Sequence, residues 1–384
     1  MIQMIVTVVL SLITTFILYP LILKFALRQK CVDIPNQRKQ QEKPVPLLGG
    51  VSIFLGMYFA LAVAIGFWHY TSLIPVLMMA SLMLMVGLID DMVDVPAMLR
   101  FIMEILLFTI LITYTDAYVD NLYDLWHVGT FSQWIALPIT VVACVGIVNA
   151  INMVDGVNGL AGGLCMMIGI CAGVVLMLAG DVANAVLAFA MVAALVPFLI
   201  HNIFGDTSKM YLGDSGSLLL GTIVSWLVIQ LMKTDFSSFL QNGGSLCNVA
   251  LCVALLSIPV FDTLRVMVVR IAHGQSPMHA DRNHLHHIIY DYGESHTLVT
   301  VIEILYNIII ILTWYGIYLL GASKQVQLYV VIALCVLLVC GTILFIKSNM
   351  RLNTMIAYRL RKRIIQAQEQ GGSMWNRIQR LVDR

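Results

Sequence analysis

The chain has 384 residues, of which 60% are hydrophobic and 11% charged, with a formal net charge of +1 and a mean hydropathy of +0.91. A soluble globular domain carries roughly 25% charged residues, so this composition excludes one and defines an all-α polytopic membrane protein with the lipid bilayer as its surroundings. No nucleic-acid partner is expected.

Apolar runs of spanning length fall at approximately 2–27, 47–67, 72–89, 97–115, 132–149, 160–180, 183–200, 215–232, 247–267, 297–320 and 326–346, about eleven helices in all. The first run follows Met1-Ile2-Gln3-Met4, which has no basic region, and no small-residue cleavage site follows it. It is read as a retained helix. An odd number of spans puts the termini on opposite sides. Of the 22 Lys and Arg residues, all but Lys233 and Lys324 fall on the side away from the N-terminus, so the positive-inside rule predicts an outside N-terminus and a cytoplasmic C-terminus. Residues 1–346 then form a transmembrane domain and 347–384 a basic cytoplasmic tail that lies against anionic lipid. Seven of the eight cysteines lie in or beside apolar runs and none forms a CxxC pair. They indicate neither a disulfide framework nor a zinc site.

The cytoplasmic segments are 28–46, 90–96, 149–159, 201–214, 268–296 and 347–384. In the first, Arg38 and Lys39 either serve the topology alone or hold an anionic lipid headgroup at the interface. In the second, the run Met85-Val86-Gly87-Leu88-Ile89 leads straight into Asp90, Asp91 and Asp94. The C-terminal end of a helix disfavours negative charge, so a cation is expected there. Asp90 and Asp94 stand one helical turn apart and Asp91 and Asp94 three residues apart, so all three could face one hard cation such as Mg²⁺. A solvated acidic loop is the alternative.

Further along, Asn149-Ala150-Ile151-Asn152-Met153-Val154-Asp155-Gly156-Val157-Asn158-Gly159 gathers amides and a carboxylate among small residues that let a ligand approach a helix start. The competing reading is polar capping of two helix ends. Lys209 and then Tyr211-Leu212-Gly213-Asp214-Ser215-Gly216-Ser217 place a cation and a carboxylate before a Gly/Ser-rich helix N-terminus suited to an anion. Asp206 is read as a turn cap. The largest inner loop holds His279, Asp281, Arg282, Asn283, His284, His286 and His287, donors and a planar fork for phosphate. Zinc competes, but no cysteine is near and the histidines are crowded. Asp262 and Arg265 are spaced for a structural ion pair. Every acid-rich or histidine-rich cluster thus falls on one membrane face, which predicts an active site at the cytoplasmic surface.

In this order, GLIDDMVD, NAINMVDGVNGL, YLGDSGSLLLG and SPMHADRNHLHH resemble the signatures of the polyprenyl-phosphate N-acetylhexosamine-1-phosphate transferases, over about residues 30 to 290. The HADRNHLHH form is more similar to the branch using UDP-GlcNAc and undecaprenyl phosphate than to the MurNAc-pentapeptide branch. The resemblance implies an enzyme of the bacterial plasma (inner) membrane. It would transfer a HexNAc-1-phosphate, GlcNAc-1-phosphate first among them, from a UDP-HexNAc to a polyprenyl phosphate and release UMP. Mg²⁺ is the implied cofactor, with Mn²⁺ as a substitute. A homodimer is left open.

By the same resemblance, Asp90 and Asp91 match the paired catalytic aspartates, Asp214 the metal-binding aspartate, with Asp91 or Asp155 beside it, and Asn152 and Asp155 the nucleotide-side motif. His279, Arg282, His284, His286 and His287 match the loop that holds the diphosphate or sugar, which Lys209 would help to neutralise. Asp33 matches an acidic position before the lipid-binding helices, and Arg100 stands as a permanent cation near Asp90 and Asp91; Asp33, Arg38, Lys39 and Arg100 are the residues expected at the lipid phosphate. Asn158 occupies a position where many members carry a second Asp, and Glu104, replacing a common Gln, needs a partner inside an apolar helix. Two rival readings are an intramembrane DDxxD-type prenyltransferase, which requires a second DxxxD-like motif, and a transporter, whose functional acids sit near the bilayer midplane.

Overall fold

A computed structural model describes residues 2–33, 44–123, 125–236, 246–277, 281–292, 295–352 and 373–383. The chain runs α1 (Ile2–Gln29), β1 (Val32–Asp33), β2 (Val45–Pro46), α2 (Gly49–Trp68), α3 (Ile74–Val93), α4 (Ala97–Thr115), α5 (Gln133–Val154), α6 (Leu160–Leu178), α7 (Val182–Phe204) and α8 (Gly213–Lys233). It continues through α9 (Asn248–Leu255), α10 (Ser257–Ala272), α11 (Leu285–Asp291), α12 (His296–Leu319), α13 (Lys324–Leu352) and α14 (Ser373–Val382). Ten of these helices are long and apolar enough to cross a membrane, and the bent pair α9–α10 makes up to eleven. In a bilayer core only a helix satisfies every backbone group within its own segment, and the expected all-α architecture follows.

α8 is the pillar of the bundle. Its most apolar stretch is 94% buried, against 22% in α1 and in α4. Without a hydrophobic driving force between helices in lipid, close approach depends on small residues. A Cβ on Gly50 of α2 would lie 2.3 Å from Gly216 Cα, and one on Gly87 of α3 would lie 2.4 Å from Ser215 Cα. Only glycine lets α2 and α3 touch the first turn of α8 backbone to backbone.

The span expected at 247–267 is not continuous. It breaks at Leu256 with a bend of 79°. The freed backbone groups find a partner in Asn307 of α12, whose amide donates to the carbonyls of Ala254 (2.9 Å) and Leu255 (3.3 Å) while its oxygen accepts from Ile258 N–H (3.3 Å). Pro259, which has no N–H, falls in the first turn after the break, where none is needed. A small antiparallel β1–β2 pair, Val32 opposite Pro46, and the short helix α11 inside the 268–296 loop are not anticipated by the helical reading.

Candidate active site

The end of α3 sends its three aspartates in three directions, which corrects the expectation that they share one cation. Asp94 adopts a left-handed φ of 50°, donates its N–H to Asp90 O and leaves its side chain exposed. Asp90 is buried, and its Oδ1 accepts from Val95 N–H at 2.8 Å. Its Oδ2 meets Arg100 Nη1 at 2.7 Å. The same guanidinium lies 3.6 Å from Asp214 Oδ1 and 3.7 Å from Glu104 Oε1. Asn149 of α5 donates to the other Glu104 oxygen, so the buried acid inside α4 has the partner it required. Arg100 is expected from sequence to contact a lipid phosphate; in the structure it bridges two site aspartates.

Asp91 turns the other way. Its Oδ1 accepts the N–H of Asp214 at 2.8 Å and its Oδ2 that of Ser215 at 3.0 Å. A carboxylate from α3 thus satisfies two of the otherwise orphaned amides at the N-terminus of α8, where the helix dipole favours negative charge. Gly213, at φ 73°, makes room: a Cβ there would meet Asp91 Oδ2 at 2.7 Å.

Asn152 reaches across from α5 and donates to Asp214 Oδ1 and to Ser217 Oγ, the latter at 2.8 Å. Asp155 stands just past the end of α5. Burial, with the negative charges of Asp214 and Asp91 adding to it, pushes its carboxyl up to about 8. Asn158 offers its carbonyl to Thr300 Oγ1 at 2.8 Å.

The histidine loop is organised by Asp262, which does more than form the ion pair expected with Arg265. Its Oδ1 takes Arg265 Nη2 at 2.7 Å, while Oδ2 accepts from Leu285 N–H at 3.1 Å and faces His284 Nδ1 at 2.9 Å. His284 and His286 stack with centroids 5.6 Å apart, and His287 lies 4.3 Å from His286. His286 is 1% exposed, and neither ring nitrogen has a hydrogen-bond partner among the described residues. It sits against the 149–159 loop, since a Cβ on Gly156 would lie 3.0 Å from its Nε2. Burial holds the His286 ring well below the usual histidine range, and burial together with Arg282 brings His287 to about 4. Both rings are neutral at pH 7.

Arg282 is half exposed and pairs with Asp291 at 2.6 Å. Asp281 is gripped by Arg270 through two bonds of 3.0 and 2.8 Å, which hold its carboxyl well below the usual range. Lys209 is half-buried, and burial lowers its ammonium against the pull of Asp206 and Asp383. Asp33 lies in β1. His279, Arg38 and Lys39 fall outside the described residues.

Among the described residues, no group of three or more His, Cys, Asp or Glu side chains is arranged to hold a metal ion. Of the expected set Asp91, Asp155 and Asp214, Asp91 accepts one α8 amide on each of its oxygens. Asp155 and Asp214 remain as neighbouring carboxylates whose charges repel, an oxygen-only donor chemistry that fits a hard divalent cation.

The sequence that builds this site is similar to known proteins. Residues 73–232 match the family model of glycosyl transferase family 4. The chain is 30% identical to the "Probable undecaprenyl-phosphate N-acetylglucosaminyl 1-phosphate transferase" of Bacillus subtilis (strain 168), over 88% of this chain and 90% of that protein. It is 31% identical to the undecaprenyl-phosphate alpha-N-acetylglucosaminyl 1-phosphate transferase of Yersinia pestis, over 70% and 72%. With the protein of that same name from Escherichia coli O157:H7 it shares 30% over 75% and 77%. The chain belongs to glycosyl transferase family 4.

Proposed function

We propose that this protein transfers N-acetylglucosamine-1-phosphate from UDP-GlcNAc to undecaprenyl phosphate at the cytoplasmic face of a bacterial plasma membrane. The observation that carries the reading is the convergence of Asp90, Asp91, Asn152, Asp155 and Asp214, drawn from three helices and one loop, around the first turn of α8. The relatives' names supply the substrate pair.

A lipid phosphate oxygen attacks the phosphorus that bears the sugar, and the bond to the UMP oxygen breaks. The second pKa of a phosphate monoester is about 6, so the nucleophile is already ionised at pH 7 and no strong base is needed. The obstacle is bringing two anions together, which calls for positioning and neutral or positive surroundings. Arg100, already between Asp90 and Asp214, offers the permanent charge, and Lys209 adds a second. Asp90 orients the incoming lipid phosphate or takes its residual proton. The neutral ring of the partly exposed His287 donates a hydrogen bond without adding charge that would over-hold the product, and the buried His286 ring packs beside it. Mg²⁺ is the cofactor of this reading; Asp214 and Asp155 would hold it, and it would neutralise the diphosphate when bound.

The test is direct. Labelled UDP-GlcNAc, incubated with the purified protein and undecaprenyl phosphate, yields a labelled lipid and one UMP per turnover, and a panel of other UDP-HexNAc donors ranks below it. Absence of UMP release sinks the reading; a labelled product from prenyl diphosphate would favour the prenyltransferase instead.

A further inference from the structure

Asp383, next to α14, lies far in sequence from every motif, yet it is bound to the loop that leads to Asp214. Its carboxylate accepts from Asp206 N–H at 3.1 and 3.3 Å, from Ser208 N–H at 3.1 Å and from Ser208 Oγ at 2.8 Å. Successive amides converging on one anion form a nest. Ser208 is 9% exposed and is the junction of the loop. Its carbonyl accepts from Tyr19 of α1 at 2.9 Å, and its hydroxyl faces His201 Nδ1 at 3.0 Å, with Tyr19 and His201 stacked at 4.4 Å. The next residue is Lys209. From there the segment is tied to α2 and β2 through Tyr211 and Leu212 before it enters α8 at Gly213.

We propose that Asp383 is a positioning residue: its carboxylate latches the 205–209 loop and thereby sets Lys209 against the diphosphate of the nucleotide-sugar. This rests on the transferase reading for the role of Lys209, whereas the latch itself stands on geometry alone. Loop 205–209 meets the tail at one end and the hairpin and α2 at the other. Release of the tail leaves Asp214 held by Asn152 and by the α8 backbone, and loosens Lys209 selectively.

The test uses the full chain and two readouts. In kinetics, Asp383→Ala raises KM for UDP-GlcNAc about tenfold, the worth of one charge-assisted hydrogen bond, with kcat and the KM for undecaprenyl phosphate little changed. Asp383→Glu, which keeps the charge and both acceptors, restores most of the loss. Asp383→Asn, which turns an NH₂ toward donors, does not. In limited proteolysis, trypsin cuts after the exposed Arg377 faster in Asp383→Ala and in Ser208→Ala than in the parent. An unchanged KM, or a defect confined to kcat, overturns the positioning role. Equal cleavage rates overturn the latch. If the parent itself transfers nothing from UDP-GlcNAc, the functional reading fails while the proteolysis arm still decides the latch.

Discussion

Asp91 of α3 caps α8 in place of a residue of α8's own, its two oxygens accepting the amides of Asp214 and Ser215 at 2.8 and 3.0 Å. One carboxylate thereby fixes the register between the helix that ends in the paired aspartates and the helix that begins with Asp214. Asp91→Asn retains one acceptor and loses the charge, so it costs about 1–2 kcal/mol and lowers turnover by orders of magnitude. Thermal unfolding in detergent checks the first part; a variant as stable as the parent removes the capping role from Asp91.

Arg100 neutralises Asp90, Asp214 and Glu104 together. Arg100→Ala leaves buried acids uncompensated and destabilises by about 3–5 kcal/mol. Adding Glu104→Gln to Arg100→Ala deletes one of those stranded charges, so the double variant unfolds at a higher temperature than the single one. Additive losses in that cycle would show that the two side chains are not coupled. Arg100→Lys keeps the charge but cannot span three carboxylates, and its turnover falls between the parent and the alanine variant.

The backbone contacts around α8 give a sharper contrast. Gly87→Ala forces a Cβ to within 2.4 Å of Ser215 Cα, an overpacking worth about 1–3 kcal/mol, and shifts Asp214 away from Asn152. Gly66, in α2, has open space where a Cβ would stand, with nothing among the described residues within 4 Å, so Gly66→Ala is neutral or slightly stabilising. Equal behaviour of the two in turnover assays would contradict the close packing.

Acid acts through the histidine loop. The folded His287 ring is depressed from 6.5 to about 4 by burial and Arg282, so the unfolded chain binds a proton first as pH falls. The His287 contribution to stability is therefore fully present above pH 6.5 and is lost progressively between 6.5 and about 4, while Asp155, raised to about 8, contributes in the opposite sense as pH falls. His287→Asn flattens that part of the melting-temperature profile. Parent and His287→Asn profiles that run parallel from pH 7 to 4.5 would refute the assignment.

Divalent cations provide a further readout. Mg²⁺ raises the unfolding temperature of the parent by mass action and leaves Asp214→Asn and Asp155→Asn unmoved. A shift that persists in both variants places the ion elsewhere.

Much of this is legible in the chain. Hydropathy marks the spans, and the Asp90–Asp91, Asn152–Asp155 and Asp214 motifs name the residues that converge, because spanning helices force polar clusters to their ends. Other parts are not. Asp94 looks equivalent to Asp90 by helical spacing, but the helix ends before it and its left-handed backbone turns it outward. The break at Leu256 depends on Asn307, far along the chain in α12, which no local pattern discloses. Asp262 reads as half of an ion pair, and its hold on His284 crosses 22 positions. Asp383 sits in a basic segment with no motif at all. Asp94 apart, each miss is a contact made across the fold by a single side chain, which periodicity does not encode.

The enclosure of α8 has a consequence for how the protein lives in different lipids. Thickening or thinning of the bilayer acts on whichever helices face the acyl chains, here α1 and α4 among the outermost, while the helix bearing Asp214 touches almost no lipid. The outer helices can tilt to match their surroundings as the pedestal under Asp214 stays still, so turnover should vary little across membranes of unequal thickness.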